Sequence, residues 1–161
     1  MRITLACVGR ARSAAEQELC ETYLTRARDL GRKLGFSSVE LIVVDISRAP
    51  DAPARMAQEA EKLRTRIPSG SRRIVLDERA PALNSASFAA RLAALRDSGA
   101  RDLAFVIGGS DGLAPDLREE AEEGLSLGPQ TWPHLLVRAM LTEQIYRGFT
   151  ILSGHPYHRG G

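Results

Sequence analysis

The chain alternates short apolar runs with amphipathic helical patterns, and this alternation limits its fold more than any other feature. An apolar run at 3–8 precedes a helical pattern that starts near Ser13, where Ser13 and Glu16 have the spacing of a capping box. A second run at 39–44 is rich in β-branched residues, which is typical of a strand buried on both faces. Strands that alternate with helices predict an α/β fold, a mostly parallel sheet with helices on both faces.

The alternation continues along the rest of the chain. A turn at Pro50 and Pro53 leads to a charged helix from about 54 to 66, which is followed by a strand at 73–76. A helix at 85–96, which Asn84 or Ser85 caps and which ends near Gly99, leads to a strand at 103–107. The segment 108–133 contains an acidic helix and an apolar stretch at 125–127, and a long final helix follows at 133–151. No repeat, linker or low-complexity run divides the sequence. We therefore expect a single domain over residues 1–161.

Composition narrows the class of protein. Hydrophobic residues make up 43% of the chain and charged residues 26%, and no window approaches the roughly 18 consecutive apolar residues of a membrane span. The N-terminus lacks the length and the cleavage site of a secretory signal. Cys7 and Cys20 have no partner at metal-ligand or redox-motif spacing, so both are expected to be core thiols in a reducing cytoplasm. We expect a cytoplasmic protein with neither membrane nor metal partners.

The final helix is apolar on more than one side. Its apolar residues, which go nearly round it, are Leu135, Leu136, Val137, Ala139, Met140 and Leu141. A single core face cannot use all of them, so this helix is predicted to pack on its own sheet and also on a second subunit. A helix central to one larger core is the alternative.

A glycine-rich loop, 108–112, directly follows the predicted strand at 103–107. Glycines permit positive φ and a close approach of the backbone to a ligand. The spacing matches neither the dinucleotide fingerprint nor the phosphate-binding P-loop, which argues against a nicotinamide cofactor. Taken alone, Gly108 and Gly109 fit a tight turn between strand and helix better than a ligand site.

Two other segments carry candidate chemistry. In the loop at 127–134, Leu127 and Trp132 could line an adenine pocket, but helix entry, with Thr131 as the cap, accounts for the segment equally well. Asp77 and Glu78 follow a strand at the edge where ligands of open α/β sheets bind, although such a pair is more often a solvated turn. No nucleophile motif favours a hydrolase.

The C-terminal tail, 154–159, combines two histidines with Tyr157 and Arg159. Aromatic side chains beside an arginine suit stacking on an unpaired base and contact with phosphate. The two histidines have no cysteine or nearby acid to complete a ligand set, so a metal site is not expected. A frayed terminus is the alternative, which Pro156 and Tyr157 disfavour.

Four ordered motifs resemble one family over the whole length of the chain. They are VLDERA at 75–80, FVIGGSDGL at 105–113, LSLGPQTWPHLLVRAMLTEQIYRGFTI at 125–151 and HPYHR at 155–159. They resemble the ribosomal RNA large subunit methyltransferase H family of the SPOUT superfamily. The resemblance implies a C-terminal segment threaded into a trefoil knot, and an obligate homodimer that binds S-adenosyl-L-methionine in the knotted loops. Strand and helix patterns alone predict an unknotted sheet.

The resemblance also implies which residues form the site. The cofactor-binding positions are Leu76, Gly108, Leu127, Gly128, Pro129, Gln130, Thr131 and Trp132. The catalytic, substrate-side positions are Arg138, Tyr157, His158 and Arg159, with the tail and the cofactor pocket supplied by different subunits. For the base that removes the ring proton, His134, Glu143 and His158 are the alternatives.

The activity that the resemblance implies is methyl transfer to ring nitrogen 3 of a pseudouridine in the helix 69 loop of 23S ribosomal RNA, on assembled ribosomes. A composite ribosomal surface requires no long basic patch, which fits a net charge of only +2. One alternative is a non-catalytic ribosome-binding module of the same fold, which the glycine loop and the loop at 127–132 disfavour. The other is a knotted transfer RNA methyltransferase, which commonly carries an added domain for which 161 residues leave no room.

Overall fold

Five strands form one sheet in the computed structural model, which describes residues 1–10 and 14–158. The strands are β1 (Arg2–Val8), β2 (Ser38–Val44), β3 (Arg72–Leu76), β4 (Asp102–Ile107) and β5 (Glu123–Leu125). Their order across the sheet is β2-β1-β4-β3-β5, and every neighbouring pair is parallel. The parallel α/β fold predicted from the sequence is confirmed.

Helices cover both faces of this sheet. They are α1 (Ala14–Lys33), α2 (Ala52–Arg66), α3 (Ser85–Asp97), α4 (Pro115–Glu119) and α5 (His134–Ser153). Side chains of a strand alternate between its faces, and β1 shows this clearly. Ile3 and Leu5 belong to the core built with α1, α3 and α5, whereas Ala6 and Val8 belong to the core built with α2 and α4.

Two predicted boundaries are wrong. α2 begins at Ala52 rather than near Ala54, because the Asp51 carboxylate accepts a hydrogen bond of 2.8 Å from the N–H of Ala54 and caps the helix. Pro53 therefore lies inside the first turn, where its missing N–H costs nothing. β5 lies at Glu123–Leu125, whereas the sequence predicts only an apolar stretch at 125–127, since a three-residue strand carries too little periodicity to be recognised.

The predicted caps have different outcomes. Asn84, and not Ser85, caps α3, because its side-chain oxygen accepts a 2.8 Å hydrogen bond from the N–H of Ser87. Ser13, half of the predicted capping box of α1, lies outside the described residues. Pro133 stands at the N-cap of α5, which has no side-chain cap hydrogen bond, so the alternative in which Thr131 caps this helix does not hold.

α5 packs on α1 and α3, and its buried face includes Leu141, Ile145 and Phe149. α1 approaches α5 closely because Gly31 has no side chain, since a Cβ at that position would lie 2.8 Å from the Phe149 ring. Leu136 and Met140 remain half-buried, so one protomer does not cover every apolar side of α5. A partner subunit at this face remains a prediction.

Both cysteines are buried in the larger core, as predicted. Cys7 is 0% exposed and Cys20 is 2% exposed. Burial raises the pKa of the Cys7 thiol to about 12, so this group is a neutral core side chain at physiological pH. Among the described residues, no helix is both long and apolar enough to cross a bilayer.

Candidate cofactor and active site

The carboxyl ends of β3, β4 and β5 surround a cavity of about 670 Å³. We call it the cofactor cavity. Its wall consists of residues 77–79 after β3, the glycine loop 108–112 after β4, and most of the segment 127–134 that leads into α5. Ligands of open α/β sheets bind at this edge, and the volume is that of a small-molecule site.

Most of the predicted cofactor positions meet in this cavity. Those that line it are Leu76, Gly108, Leu127, Gly128, Gln130, Thr131 and Trp132. Pro129 is not among the lining residues. The three loops are far apart in sequence, and the parallel sheet brings them together because β4 lies next to β3, and β3 lies next to β5.

Gly108 lies where a side chain cannot fit. A Cβ at this position would lie 2.5 Å from the carbonyl oxygen of Gly112 and 3.0 Å from the nitrogen of Leu113. The loop folds back on itself in this way because the N–H of Gly112 donates to the carbonyl of Gly109 at 3.1 Å and Gly112 adopts a φ of +90°. The glycine loop is therefore both a tight turn and a wall of the cofactor cavity, so the two interpretations of the sequence are not exclusive.

Hydrogen bonds tie the loop after β5 to the loop after β3. The Thr131 hydroxyl donates to the Glu78 carboxylate at 2.6 Å. The Ser126 hydroxyl donates to the carbonyl of Gly128 at 2.7 Å and accepts from its N–H at 3.1 Å. Gly128 has a φ of +119°, which favours glycine. Together these contacts fix the backbone of the cavity wall before any ligand binds.

Acidic side chains of the cavity wall are held by arginines. Asp77 pairs with Arg118 at 3.0 Å, so this aspartate is not the freely solvated turn residue that its sequence context favours. Asp111 accepts two hydrogen bonds from the Arg55 guanidinium, at 2.7 and 3.1 Å. The hydrogen bonds from Arg55 lower the pKa of the Asp111 carboxyl group, which keeps it ionised at physiological pH.

His134, one of the three base candidates, lines the cofactor cavity at the first residue of α5. Its pKa is lowered, first because partial burial disfavours the imidazolium and then because the positive charge of Arg138 is close. The imidazole makes no hydrogen bond to the described residues. It is therefore a neutral ring with a nitrogen lone pair available at neutral pH.

This lowered pKa makes the stability of the folded chain sensitive to acid. Above the ordinary histidine pKa of about 6.5, neither the folded nor the unfolded chain binds a proton at His134, and the residue contributes nothing to pH dependence. As pH falls through about 6.5, the unfolded chain is protonated first, so the folded state loses stability. Urea unfolding at pH 5.5 and 7.5 should show a smaller acid-induced loss in His134→Gln than in the parent chain. Equal losses in both proteins, or a His134 ring that titrates at or above the free value by NMR, would refute this.

Arg138 does not line the cofactor cavity. It is 4% exposed, and its Nη2 donates to the carbonyl oxygens of Gly9 at 2.7 Å and Val8 at 3.3 Å. Its Nε has no hydrogen-bond partner within the part of the chain that the structure describes. The guanidinium thus holds the end of β1 in place, and the predicted direct contact with substrate is not visible in one protomer.

The described tail is not part of the cofactor cavity of its own protomer, since neither Tyr157 nor His158 lines it. Tyr157 instead contacts Tyr146 on α5 and Tyr23 on α1. The Nδ1 of His158 is buried without a hydrogen-bond partner among the described residues. Arg159 lies outside the described residues. The structure therefore groups the cofactor positions with one another but not with the predicted catalytic positions.

Glu143, the second base candidate, is fully engaged. Its carboxylate accepts from Arg147 Nε at 2.9 Å, from Gln144 Nε2 at 2.7 Å and from the Tyr157 hydroxyl at 3.1 Å. A substrate that is to give its proton to this carboxylate would have to displace one of these donors. Within residues 1–10 and 14–158, no group of three or more His, Cys, Asp or Glu side chains could hold a metal ion.

Comparison with known proteins gives the family. A family model described as a predicted SPOUT methyltransferase matches residues 1–158. The chain is 50% identical over 159 residues to a ribosomal RNA large subunit methyltransferase H of Rhodopseudomonas palustris strain HaA2, with 99% of each chain covered. It is 48% identical to the protein of the same name in Bradyrhizobium sp. strain ORS 278, covering 99% of this chain and 98% of that one.

A solved structure agrees in fold. The crystal structure of a probable methyltransferase from Bordetella pertussis Tohama I superposes with a TM-score of 0.50 at 17% identity, and covers 92% of this chain and 96% of that one. At this identity the likeness concerns the fold alone. The family match spans nearly the whole chain, and the curated relatives share about half of its residues. This chain is a member of the SPOUT methyltransferase family, and its relatives at this level of identity are ribosomal RNA large subunit methyltransferases.

Proposed function

We propose that this chain uses S-adenosyl-L-methionine to methylate ring nitrogen 3 of a pseudouridine in the helix 69 loop of 23S ribosomal RNA, in the assembled ribosome. Family membership supports methyl transfer, and the names of relatives that are about 50% identical support a large-subunit ribosomal RNA target. The observation that carries the proposal is the cofactor cavity, in which Gly108 is required to be glycine and the predicted loops converge.

The cavity suits S-adenosyl-L-methionine in size and in chemistry. The apolar side chains of Leu76, Leu127 and Trp132 suit an adenine ring, and the backbone around Gly108 and Gly128 leaves room for a ligand to approach closely. When bound, the cofactor supplies an electrophilic methyl group on a sulfonium. The part left to this chain is to hold the acceptor base in line with that methyl group and to accept its ring proton.

His134 is the proton acceptor that the site favours. It lines the cofactor cavity, its pKa is lowered so that the ring is neutral at physiological pH, and no described residue occupies its nitrogens. Glu143 does not line the cofactor cavity, and its oxygens already accept hydrogen bonds from Arg147, Gln144 and Tyr157. His158 has a buried Nδ1 without a described partner and stays on the substrate side of the proposal, with Tyr157 and Arg159.

We propose a homodimer in which the tail of one protomer serves the cofactor cavity of the other. The tail residues Tyr157 and His158 do not line the cavity of their own protomer, so a role in methyl transfer requires a second copy. Apolar surface is available for such contact, because Leu19 is 44% exposed and Leu83 is 43% exposed, and Met140 on α5 is half-buried. The trefoil knot implied by the family resemblance belongs to the same proposal.

Transfer of a radiolabelled methyl group to ribosomes that lack the modification tests this function. We expect label in pseudouridine when assembled ribosomes are the substrate, and at least about 10-fold less with separated large subunits or naked RNA, because a recognition surface shared by two subunits contributes only in the complete particle. Label confined to naked RNA would contradict the composite target. No label despite measured binding of the cofactor would indicate another RNA, and no binding at all would favour the non-catalytic ribosome-binding module.

A further inference from the structure

The side chain of Tyr157 is held against the body of its own protomer by several contacts. Its hydroxyl donates to Glu143 Oε1 at 3.1 Å and lies 3.3 Å from the Tyr23 hydroxyl. Its ring centroid lies 4.9 Å from that of Tyr146, and the Arg147 guanidinium lies 5.0 Å from its centroid. Glycine at the end of α5 turns the chain, since Gly154 has a φ of +67°. The last described residues are therefore docked on α5 and α1.

Glu143 is the centre of this docking site, which we call the tail anchor: Tyr23, Glu143, Arg147 and Tyr157. Glu143 has a side chain that is 16% exposed, and it lies one turn before Arg147 on α5, with which it forms an ion pair. Arg147 in turn lies over the Tyr157 ring, so one carboxylate fixes both the hydroxyl and the face of that ring. Burial first, and then the hydrogen bonds with Tyr23 and Glu143, raise the pKa of the Tyr157 phenol, so it stays a neutral donor.

The tail anchor lies beside the cofactor cavity. Tyr23 and Glu143 line a second cavity of about 610 Å³, and this cavity shares Leu125, Leu127 and Gly128 with the first. A single loop thus separates the two cavities. The residues that hold the tail on α5 therefore lie close to the segment at 125–128, which also lines the cofactor cavity.

We propose that Glu143 and Tyr23 are positioning residues that act through Tyr157: they dock the tail so that His158 is presented in one fixed arrangement for the target nucleotide. This inference rests on the proposed function, and it assigns to Glu143 a role other than that of the catalytic base. Docking lowers the entropy that the tail would otherwise lose on meeting the substrate. The anchor therefore affects turnover, whereas binding of S-adenosyl-L-methionine does not depend on it.

Hydrogen–deuterium exchange of the whole, cofactor-free protein tests the anchor without any activity assay. In Glu143→Ala, amides of residues 154–158 should exchange about 10-fold faster, because a hydrogen bond to a charged group is lost together with the ion pair. Glu143→Gln retains an acceptor for the Tyr157 hydroxyl and should restore most of the protection. Tyr23→Phe, which removes one hydroxyl and no charge, should give about a 3-fold increase. Glu119→Ala, an exposed acid on α4, is the matched control for loss of charge.

Steady-state kinetics then separate positioning from general damage. With assembled ribosomes, kcat of Glu143→Ala should fall about 10-fold or more and recover in Glu143→Gln, while the Kd for S-adenosyl-L-methionine by calorimetry stays within about 2-fold. Unchanged exchange at 154–158 in both Glu143→Ala and Tyr23→Phe would overturn the anchor, and so would a loose tail with unaltered kcat. If the parent chain itself methylates no ribosome, the proposed function fails, while the exchange result still decides whether the tail is docked.

Discussion

Replacement of Gly108 by valine is expected to reduce the affinity for S-adenosyl-L-methionine by at least about 100-fold, which corresponds to about 2.7 kcal/mol. The first atom of any side chain at this position meets the carbonyl oxygen of Gly112 at 2.5 Å, and backbone cannot move aside as a flexible side chain can. The glycine loop must open by displacing Gly112 and Leu113, which line the same cavity. Calorimetric titration of the variant with the cofactor measures the loss.

A second glycine separates loss of the site from loss of stability. Gly70 lies in the turn before β3 with a φ of +76°, and a Cβ there meets nothing within 4 Å. Gly70→Val should therefore lower the free energy of unfolding by about 1–3 kcal/mol through backbone strain, with no change in cofactor affinity. A folded Gly108→Val chain that binds the cofactor as tightly as the parent would remove Gly108 from the site.

The double replacement His158→Ala with Arg159→Ala is expected to leave cofactor affinity within about 2-fold of the parent and to lower methyl transfer to ribosomes by about 100-fold or more. The first expectation follows because the tail is proposed to act on the target nucleotide and not on the cofactor, and because its described part does not line the cofactor cavity of its own protomer. The second follows from the proposed use of the tail against the target nucleotide, where an imidazole and a guanidinium suit a base and a phosphate. Calorimetry and labelled methyl transfer on the same preparations give both numbers.

Arg101→Ala is the control for this pair. Arg101 is exposed and precedes β4, at the edge of the sheet opposite the cofactor cavity, so loss of its charge tests the effect of net charge alone. A similar fall in turnover for Arg101→Ala and the double variant would mean that general attraction to RNA explains the result. Full turnover in the double variant would make the tail structural.

The parallel sheet and the cofactor positions could be predicted because each depends on a local pattern or on a motif. Continuous apolar runs such as 39–44 are typical of strands buried on both faces, and their C-terminal ends meet at one edge. The loop at Gly108 follows such a run, whereas the loop at Leu127 is assigned to the same site by the family resemblance, and both line the cavity. The trefoil knot and the dimer come from the family resemblance alone and remain predictions.

The features that the sequence could not supply depend on contacts between distant residues. The family resemblance places Arg138 on the substrate side, but it does not reveal that the guanidinium is buried against the carbonyls of Val8 and Gly9, some 130 positions away. Thr131 precedes a helix and could have capped it, but its hydroxyl instead donates a hydrogen bond to the Glu78 carboxylate in the cavity wall. The hydrophobic periodicity of the sequence predicts neither contact. In both cases the partner lies far away in the sequence, where no local pattern reveals it.

The strand order has a consequence for how the chain folds during its synthesis. β1 is an interior strand of the sheet, and one of its two neighbours, β4, ends at Ile107. β1 must therefore wait about a hundred residues for its second partner, and contacts of such long range make folding slow. β5 and the part of the cavity wall at 127–134 are made later still. The cofactor cavity therefore needs residues from Leu76 to Val137, so a nascent chain cannot form it until the beginning of α5 has been made.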